Sequence, residues 1–222
     1  MRIFLARHGE TDWNVERRIQ GSTDIPLNEN GIRQAHSLGS YLDRLFHAEG
    51  GFLSSIFTSP LMRARETAEI VGRRLGVEVE TVPGLEEMNF GICEGKTWIE
   101  SKSLYPKELE EWEQNKRYRR ISGGESYQDV LNRFFSAYSL IKKKRSALDP
   151  DAQKGDILII THGAVIMLLL SLRDGYAMSD SFIRVRVENA RAYAFKEEEI
   201  DAIRTMLLFT VRFQGVKRKE KR

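Results

Sequence analysis

Short apolar runs alternate along this chain with segments whose apolar residues recur at helical spacing. Residues 3–6, 55–58 and 157–160 form runs that are continuous and uncharged, as expected of strands covered on both faces. Residues 193–195 and 206–213 are predicted to be two later strands. This alternation predicts an α/β fold, a three-layer α/β/α sandwich with a mostly parallel central sheet.

Amphipathic helices are predicted after the first two runs. Asn28 is the expected N-cap of the first helix. The apolar side of this helix comprises Ile32, Ala35, Leu38, Leu42 and Leu45. Ser59 and Pro60 begin the second helix. Its apolar stripe comprises Leu61, Ala64, Ala68, Val71 and Leu75. A third helix is predicted from Tyr127 to about Ser146.

The segment from Val82 to Gly124 interrupts this pattern. Glycines and a proline punctuate it, and residues 109–115 are compatible with a charged helix. We interpret it as a cap-like excursion from the sheet over about residues 84–126. The chain of 222 residues is long enough for one well-buried domain. We expect that domain to cover residues 1–215 and a disordered basic tail to follow at 216–222.

The composition is that of a soluble globular protein, with 41% hydrophobic and 30% charged residues. The formal charge of +3 is a local feature, because the last six residues hold five basic side chains and one acidic side chain. Without them the chain has a net charge of −1. We therefore expect no nucleic-acid partner, since no basic stripe interleaved with aromatic residues occurs elsewhere.

The apolar stretches and the single cysteine indicate where the protein is located and whether it has a structural metal site. No apolar stretch approaches the roughly 20 residues that cross a bilayer, and the run at Ile3 is too short for a signal-peptide core. We expect a cytoplasmic protein that does not bind membranes. Cys93, the single cysteine, cannot form an internal disulfide and has no Cys or His partner at metal-ligand spacing.

Candidate chemistry collects where the predicted strands end. The three ends are Arg7-His8-Gly9, Ser59-Pro60 with Arg63 close behind, and Thr161-His162-Gly163. Open α/β sheets bind ligands at the carboxyl ends of their strands, so we expect His8 and His162 to lie together. The other two histidines, His36 and His47, fall in or beside the first helix and are expected at the surface.

These ends have the chemistry of an anion pocket. The glycines after each histidine let the backbone turn tightly towards a ligand, and Arg63 lies in the first turn of a helix, near free backbone donors. Arg7 and Arg63 would add paired planar donors for a dianion such as phosphate. The alternative is that both arginines are partners in surface ion pairs.

The arrangement of these residues resembles the histidine phosphatase superfamily, whose members include cofactor-dependent phosphoglycerate mutase. The resembling segments, in chain order, are residues 7–11, 13–14, 20–21, 23–31, 59–68, 85–87, 91, 94–95, 161–163 and 189–190. They follow the order of the family's signatures over roughly the first 195 residues. The resemblance implies a phosphoglycerate mutase-like fold and a small phosphorylated metabolite as substrate.

The resemblance also implies a role for each matching residue. His8 would attack phosphorus and become phosphohistidine, while Arg7, Arg63 and His162 would hold the phosphoryl oxygens. Glu87 would give a proton to the leaving oxygen and later activate water, which requires a carboxyl group that is protonated part of the time. Glu86 is the rival for this role, and both glutamates could also be solvated loop charges.

Substrate contacts are expected on the loop after the nucleophile and beside His162. The candidates are Asn14, Gln20, Gly21, Ser22, Thr23 and Gly163. Ser22 and Thr23 have the alternative of being ordinary turn residues. No cofactor and no metal are implied, since the clustered carboxylates that magnesium requires are missing from the sequence pattern. The oligomeric state, monomer or homodimer, is left open.

The phosphohistidine could pass its phosphoryl group to water or to another hydroxyl. Only 75 positions separate Glu87 from His162, and they contain Gly123-Gly124-Glu125-Ser126. This short segment resembles the phosphatase branch of the family, so we favour a phosphomonoester hydrolase over a phosphoglycerate mutase. A sugar bisphosphatase and a non-catalytic phosphate-binding module are further alternatives. Residues 117–120, which include three arginines, either bind a second anionic group or form a solvated turn.

Overall fold

The computed structural model of the protein describes residues 1–207 and contains one central β-sheet. Its strands are β1 (Arg2–Arg7), β2 (Leu53–Thr58), β3 (Val79–Thr81), β4 (Asp156–Thr161) and β5 (Ala192–Lys196). The strand order is β3-β2-β4-β1-β5. The first four strands are parallel to their neighbours, and β5 runs antiparallel to β1. The mostly parallel sheet is therefore confirmed.

Helices connect these strands. They are α1 (Asp12–Val15), α2 (Glu29–Glu49), α3 (Met62–Leu75), α4 (Trp98–Leu104), α5 (Pro106–Gln114), α6 (Tyr127–Ser146), α7 (Gly163–Arg173), α8 (Ser181–Arg184) and α9 (197–207). Short 3₁₀ turns occur at Gly91–Cys93, Ala152–Lys154 and Met178–Asp180. No helix in the described chain is both long and apolar enough to cross a bilayer.

The two faces of the sheet are covered by different helices. On β1, Phe4 and Ala6 face α2 and α3, while Ile3 and Leu5 face α6, α7 and α9. This alternation is the period of two that a strand imposes on its side chains. Both faces are buried, which explains why β1 and β4 are continuous apolar runs. The predicted three-layer sandwich is confirmed.

One predicted strand is wrong where the structure describes it. Residues 206–207 belong to α9, and the rest of the predicted strand 206–213 lies outside the described residues. Ile200, Ile203 and Leu207 are all buried, and their spacing of three and four residues is helical. The short strand β3 was not predicted, and the predicted tail at 216–222 also lies outside the described residues.

The excursion between β3 and α6 carries two helices. The expected charged helix is present as α5, which begins earlier than predicted, at Pro106. The additional helix α4 begins at Trp98, and the side chain of its N-cap Thr97 forms a reciprocal capping box with the side chain of Glu100. These helices place an aromatic cluster beside the carboxyl ends of β1 and β4, and that cluster forms part of the cavity described below.

Candidate active site

The carboxyl ends of β1, β2 and β4 meet at one place. The His8 amide donates to the Thr161 carbonyl at 3.1 Å, and the Ser59 amide donates to the Ile160 carbonyl at 3.0 Å. The two histidines that follow β1 and β4 are in ring contact, with centroids 5.2 Å apart. Topology thus brings together the predicted residues His8 and His162, whereas His36 and His47 are exposed on α2.

His8 is held as a neutral imidazole with one free nitrogen. Its Nδ1 lies 2.6 Å from the Gly9 carbonyl oxygen, and a carbonyl can only accept, so Nδ1 carries the proton. Burial, followed by the charges of Arg7 and Arg63, lowers the pKa of His8 well below 6.5. Nε2 therefore keeps its lone pair at neutral pH, as a nucleophile requires.

Arg63 is completely buried and is held by the backbone of the loop that follows α1. Its Nη1 donates to the Thr23 carbonyl and its Nη2 to the Gly21 carbonyl, each at 2.8 Å. Burial lowers the pKa of Arg63 to about 10, so the group is still charged at neutral pH. Its Nε has no hydrogen-bond partner among the described residues.

Arg7 approaches the site from β1. Its Nη1 donates to the Val187 carbonyl at 2.8 Å, and its buried Nε has no partner within residues 1–207. Burial lowers the pKa of Arg7, while the nearby Glu87 opposes that shift. In the described chain neither Arg7 nor Arg63 forms a side-chain ion pair. The alternative of surface ion pairs is therefore wrong for both.

His162 is oriented by a serine whose role the sequence did not indicate. Its Nε2 lies 2.8 Å from Ser59 Oγ, and that oxygen also accepts from the Leu61 amide at 3.3 Å. Ser59 can then donate its proton to Nε2, which places the ring proton on Nδ1. His162 Nδ1 is buried and has no partner among the described residues, so it can donate to an anion. Burial, followed by Arg63, lowers the pKa of His162 well below 6.5.

The carboxylate of Glu87 reaches the N-terminus of α7 from the segment after β3. Its Oε1 accepts from the Met88 amide at 2.9 Å and from the Ala164 amide at 3.1 Å. Gly163 lies beside both Glu87 and Arg7, since a Cβ on Gly163 would be in ordinary van der Waals contact, 3.5 Å, with Glu87 Oε2 and with Arg7 Nε. The rival Glu86 points elsewhere, accepting from the Gly84 amide at 2.7 Å. Of the two glutamates, Glu87 lines the cavity.

The helix terminus that faces the site differs from the expected one. Arg63 does lie in the first turn of α3, but the Met62 amide at that end donates to Asp24 Oδ1 at 2.6 Å. Asp24 thus caps α3 with a carboxylate. The helix end beside the two histidines is that of α7, whose Ala164 amide binds Glu87.

The predicted substrate contacts divide into two groups. Asn14, Gln20, Gly21 and Gly163 line the cavity. The hydroxyls of Ser22 and Thr23 instead bind the carboxylate of Glu94, at 3.1 Å and 2.8 Å, and neither residue lines the cavity. Ser22 and Thr23 are thus placed as turn residues of the loop that holds Arg63.

Glu94 is a supporting residue that sequence reasoning missed. Besides the two hydroxyls, its carboxylate accepts from the Ser22, Thr23 and Phe90 amides, at 2.8, 3.1 and 3.0 Å. It therefore ties the loop after α1 to the excursion. The only signal in the sequence was its place beside Gly95 in a segment that resembles the family.

The backbone around His8 is fixed by two further side chains. Thr67 Oγ1 accepts from the Gly9 amide at 3.0 Å, and Asn189 Nδ2 donates to the His8 carbonyl at 3.1 Å. Asn189 Nδ2 also lies 3.2 Å from Asn14 Oδ1, which connects the nucleophile to the loop residue predicted to touch substrate. These contacts limit rotation of the His8 backbone.

Arg133, on α6, fixes the segment that carries Glu87. Its Nη1 donates to the carbonyls of Gly84 and Glu86, at 3.1 Å and 2.7 Å, and its Nη2 donates to the carbonyl of Glu87 at 2.9 Å. Its Nε is paired with Glu125 at 2.8 Å. No local pattern in the sequence pointed to this residue.

A cavity of about 490 Å³ opens beside His8, a size suited to a small molecule. Its polar end is formed by His8, the arginines of the site, Glu87 and the loop residues named above. Its other end is mainly apolar, and Arg18, Arg184 and Arg186 also line it. The three arginines in residues 117–120 do not line it. They contact Gln128, Glu111 and Asp129.

In the part of the chain that the structure describes, no three His, Cys, Asp or Glu side chains cluster as metal ligands do. The positive charge near His8 comes from Arg7 and Arg63.

Comparison with known proteins identifies relatives over most of the chain. The family model of the histidine phosphatase superfamily (branch 1) matches residues 3–201. The uncharacterized phosphatase PhoE of Bacillus subtilis is 32% identical over 169 residues, which cover 76% of this chain and 75% of PhoE. The probable phosphoglycerate mutase GpmB of Yersinia pestis is 33% identical over 175 residues, 77% of this chain and 74% of GpmB.

A solved structure shows the same similarity in three dimensions. The alpha-ribazole phosphatase from Shigella flexneri superposes with a TM-score of 0.72 and is 26% identical. The match covers 88% of this chain and 90% of that phosphatase.

Proposed function

Because this chain belongs to the histidine phosphatase superfamily (branch 1), we propose that it hydrolyses a small phosphorylated metabolite through a phosphohistidine on His8. Its relatives are phosphatases and a probable phosphoglycerate mutase, so the chain is an enzyme of phosphatase or mutase type. The observation that carries the proposal is the 2.6 Å hydrogen bond between His8 Nδ1 and the Gly9 carbonyl. It leaves Nε2 free beside two arginines.

Binding places the phosphoryl group between charged donors. The Nε atoms of Arg7 and Arg63 have no protein partners among the described residues, so both can donate to phosphoryl oxygens. His162 Nδ1 is available in the same way. Because these groups are already buried and fixed, they stabilise charge that develops on the oxygens without having to reorganise.

In the first step, His8 Nε2 attacks phosphorus. The N–P bond forms while the bond between phosphorus and the leaving oxygen breaks, and Glu87 gives its proton to that oxygen. The product is an alcohol and a phosphohistidine. The proton of His8 stays on Nδ1 throughout, hydrogen-bonded to the Gly9 carbonyl, so the ring keeps its orientation.

In the second step, water attacks the phosphohistidine. Glu87, now a carboxylate, takes a proton from that water, the N–P bond breaks, and inorganic phosphate is released from a neutral His8. Glu87 lies at the N-terminus of α7, where the Ala164 amide holds it for both proton transfers.

Water is proposed as the acceptor because the segment between Glu87 and His162 is short and resembles that of the phosphatase branch of the family. A phosphoglycerate mutase is the second candidate, since GpmB is as similar to this chain as PhoE is.

Release of phosphate from p-nitrophenyl phosphate in the presence of EDTA tests the proposal. We expect turnover with the wild type, an acid-labile phosphoenzyme on His8, and loss of both in His8→Ala. His36→Ala is the matched control because His36 is exposed on α2. Turnover that survives His8→Ala, or that EDTA abolishes, contradicts the mechanism. Efficient isomerisation of 3-phosphoglycerate, dependent on 2,3-bisphosphoglycerate, would establish the mutase instead.

A further inference from the structure

The mainly apolar end of the cavity is walled by a continuous row of aromatic rings. Phe90 and Trp98 meet edge to face with centroids 5.5 Å apart. Trp98 stacks on Trp112 at 5.7 Å with an angle of 11°, and Trp112 meets Tyr127 at 6.1 Å. All four side chains line the cavity. We call them the aromatic wall.

Further side chains at this end of the cavity are also apolar. Met167, Val185 and Val187 line it, and so does Ile183, which is 87% exposed. An exposed isoleucine beside a cavity loses contact with water when an apolar ligand binds against it, which favours binding of such a ligand. Both the aromatic wall and these apolar side chains can therefore contact a hydrocarbon group or a flat ring of a ligand.

The charged groups at this end are three arginines, Arg18, Arg184 and Arg186. Arg18 donates to Glu16 at 2.6 Å and to the Gly95 carbonyl at 2.9 Å, and the guanidinium group of Arg184 lies 5.8 Å from the centroid of the Tyr176 ring. Burial raises the pKa of the Tyr127 hydroxyl, which stays neutral. A glycerol or sugar leaving group placed against the aromatic faces would lose its water there without gaining apolar contact in return, which is unfavourable.

From this lining we propose that the substrate is a phosphomonoester of an alcohol that carries an aromatic or similarly flat apolar group. The inference rests on the proposed phosphatase activity and adds the class of leaving group. With the phosphoryl group at His8, the flat group would lie along the aromatic wall, of which Phe90 and Trp98 are partly exposed.

Two substrates with leaving alcohols of similar basicity separate recognition from chemistry. We compare naphthalen-2-ylmethyl phosphate with glycerol 3-phosphate, both esters of primary alcohols, so that their intrinsic reactivity is matched. Burying two rings against the wall favours the first substrate by roughly 100-fold in kcat/KM. A preference for glycerol 3-phosphate, or equal kcat/KM values, overturns the inference.

Variants then test whether the wall is responsible. Trp98→Ala is expected to lower kcat/KM for the naphthylmethyl ester about tenfold and to change that for glycerol 3-phosphate less than about twofold. Trp98→Leu, which preserves more packing, should give an intermediate loss. Ile99→Ala is the control, because Ile99 is the next residue on α4, is 83% exposed and does not line the cavity. Equal losses for both substrates in both Trp98 variants contradict a role in recognition.

Failure of this inference differs from failure of the proposed function. If His8 becomes phosphorylated but the polyol ester is preferred, the leaving-group class is wrong and the phosphatase mechanism stands. If neither ester is hydrolysed and His8 is not phosphorylated, both are overturned.

Discussion

Replacing Arg133 with glutamine should loosen the segment that carries the proton donor Glu87 and leave the nucleophile His8 in place. Arg133 binds the carbonyls of Gly84, Glu86 and Glu87 and pairs with Glu125. The substitution removes the charge and most of these contacts, and the segment carrying Glu87 gains freedom to move. The contacts of His8 described above do not involve Arg133.

The magnitude follows from what Glu87 contributes. General acid catalysis is worth about 10²–10⁴ in rate, and a shift of about 1 Å in a catalytic group can cost 10²-fold. We therefore expect Arg133→Gln to lower kcat/KM for an alkyl phosphate about 100-fold, or about 2.7 kcal/mol. For p-nitrophenyl phosphate, whose leaving group departs without a proton, the loss should stay below about fivefold.

The assay compares these two substrates by kcat/KM, which reports steps up to formation of the phosphohistidine. Arg120→Gln is the matched control, since Arg120 also pairs with a carboxylate, Asp129, but its side chain is 63% exposed and touches nothing near Glu87. Thermal unfolding of both variants separates lost stability from lost catalysis. Equal losses for the two substrates would refute Glu87 as the acid supported by Arg133.

Two further predictions concern the loop and the histidines. Gly21 has a φ of +53° and a Cβ there would lie 1.8 Å from Glu94 Oε1, so Gly21→Ala should disturb the carbonyl that holds Arg63. It should weaken inorganic phosphate binding about tenfold in calorimetry; unchanged affinity would contradict this. The pKa values of His8 and His162 are lowered well below 6.5 by burial. As pH falls below about 6.5 the unfolded chain therefore binds more protons, and the free energy of unfolding should decrease down to the folded-state pKa values. Urea unfolding at pH 7 and pH 5 should show a smaller decrease for His8→Asn than for the wild type, and an identical decrease would argue against this assignment.

The elements that carry the nucleophile could be predicted because their signals are local. A strand that ends in Arg7 and His8, and another that ends in His162, must share an edge if the sheet is parallel. The sequence alone therefore predicted the meeting of these residues, and the structure places them in contact. The predicted strand is wrong at residues 206–207 because the buried positions that precede them, Ile200 and Ile203, already follow a helical period.

The supporting residues could not be predicted in the same way. Glu94 binds Ser22 across 72 positions, and Arg133 binds the Glu87 carbonyl across 46. Such contacts depend on how separate elements pack, which hydrophobic periodicity does not encode. Ser59 was visible as a strand end, but its bond to His162 required the spatial order in which β2 lies beside β4.

The burial of Arg63 has a consequence for how the protein responds to its own product. The Arg63 guanidinium group donates to two carbonyls and has carboxylates near it without a side-chain ion pair, so positive charge in the interior of the ligand-free fold is only partly compensated. Any dianion of the right shape relieves that cost, and inorganic phosphate is such a dianion. Phosphate should therefore act as a folding ligand that stabilises the native state by mass action. The same contacts would slow the release of phosphate. Tighter binding by the Arg63 guanidinium group would therefore stabilise the fold and lower the turnover rate.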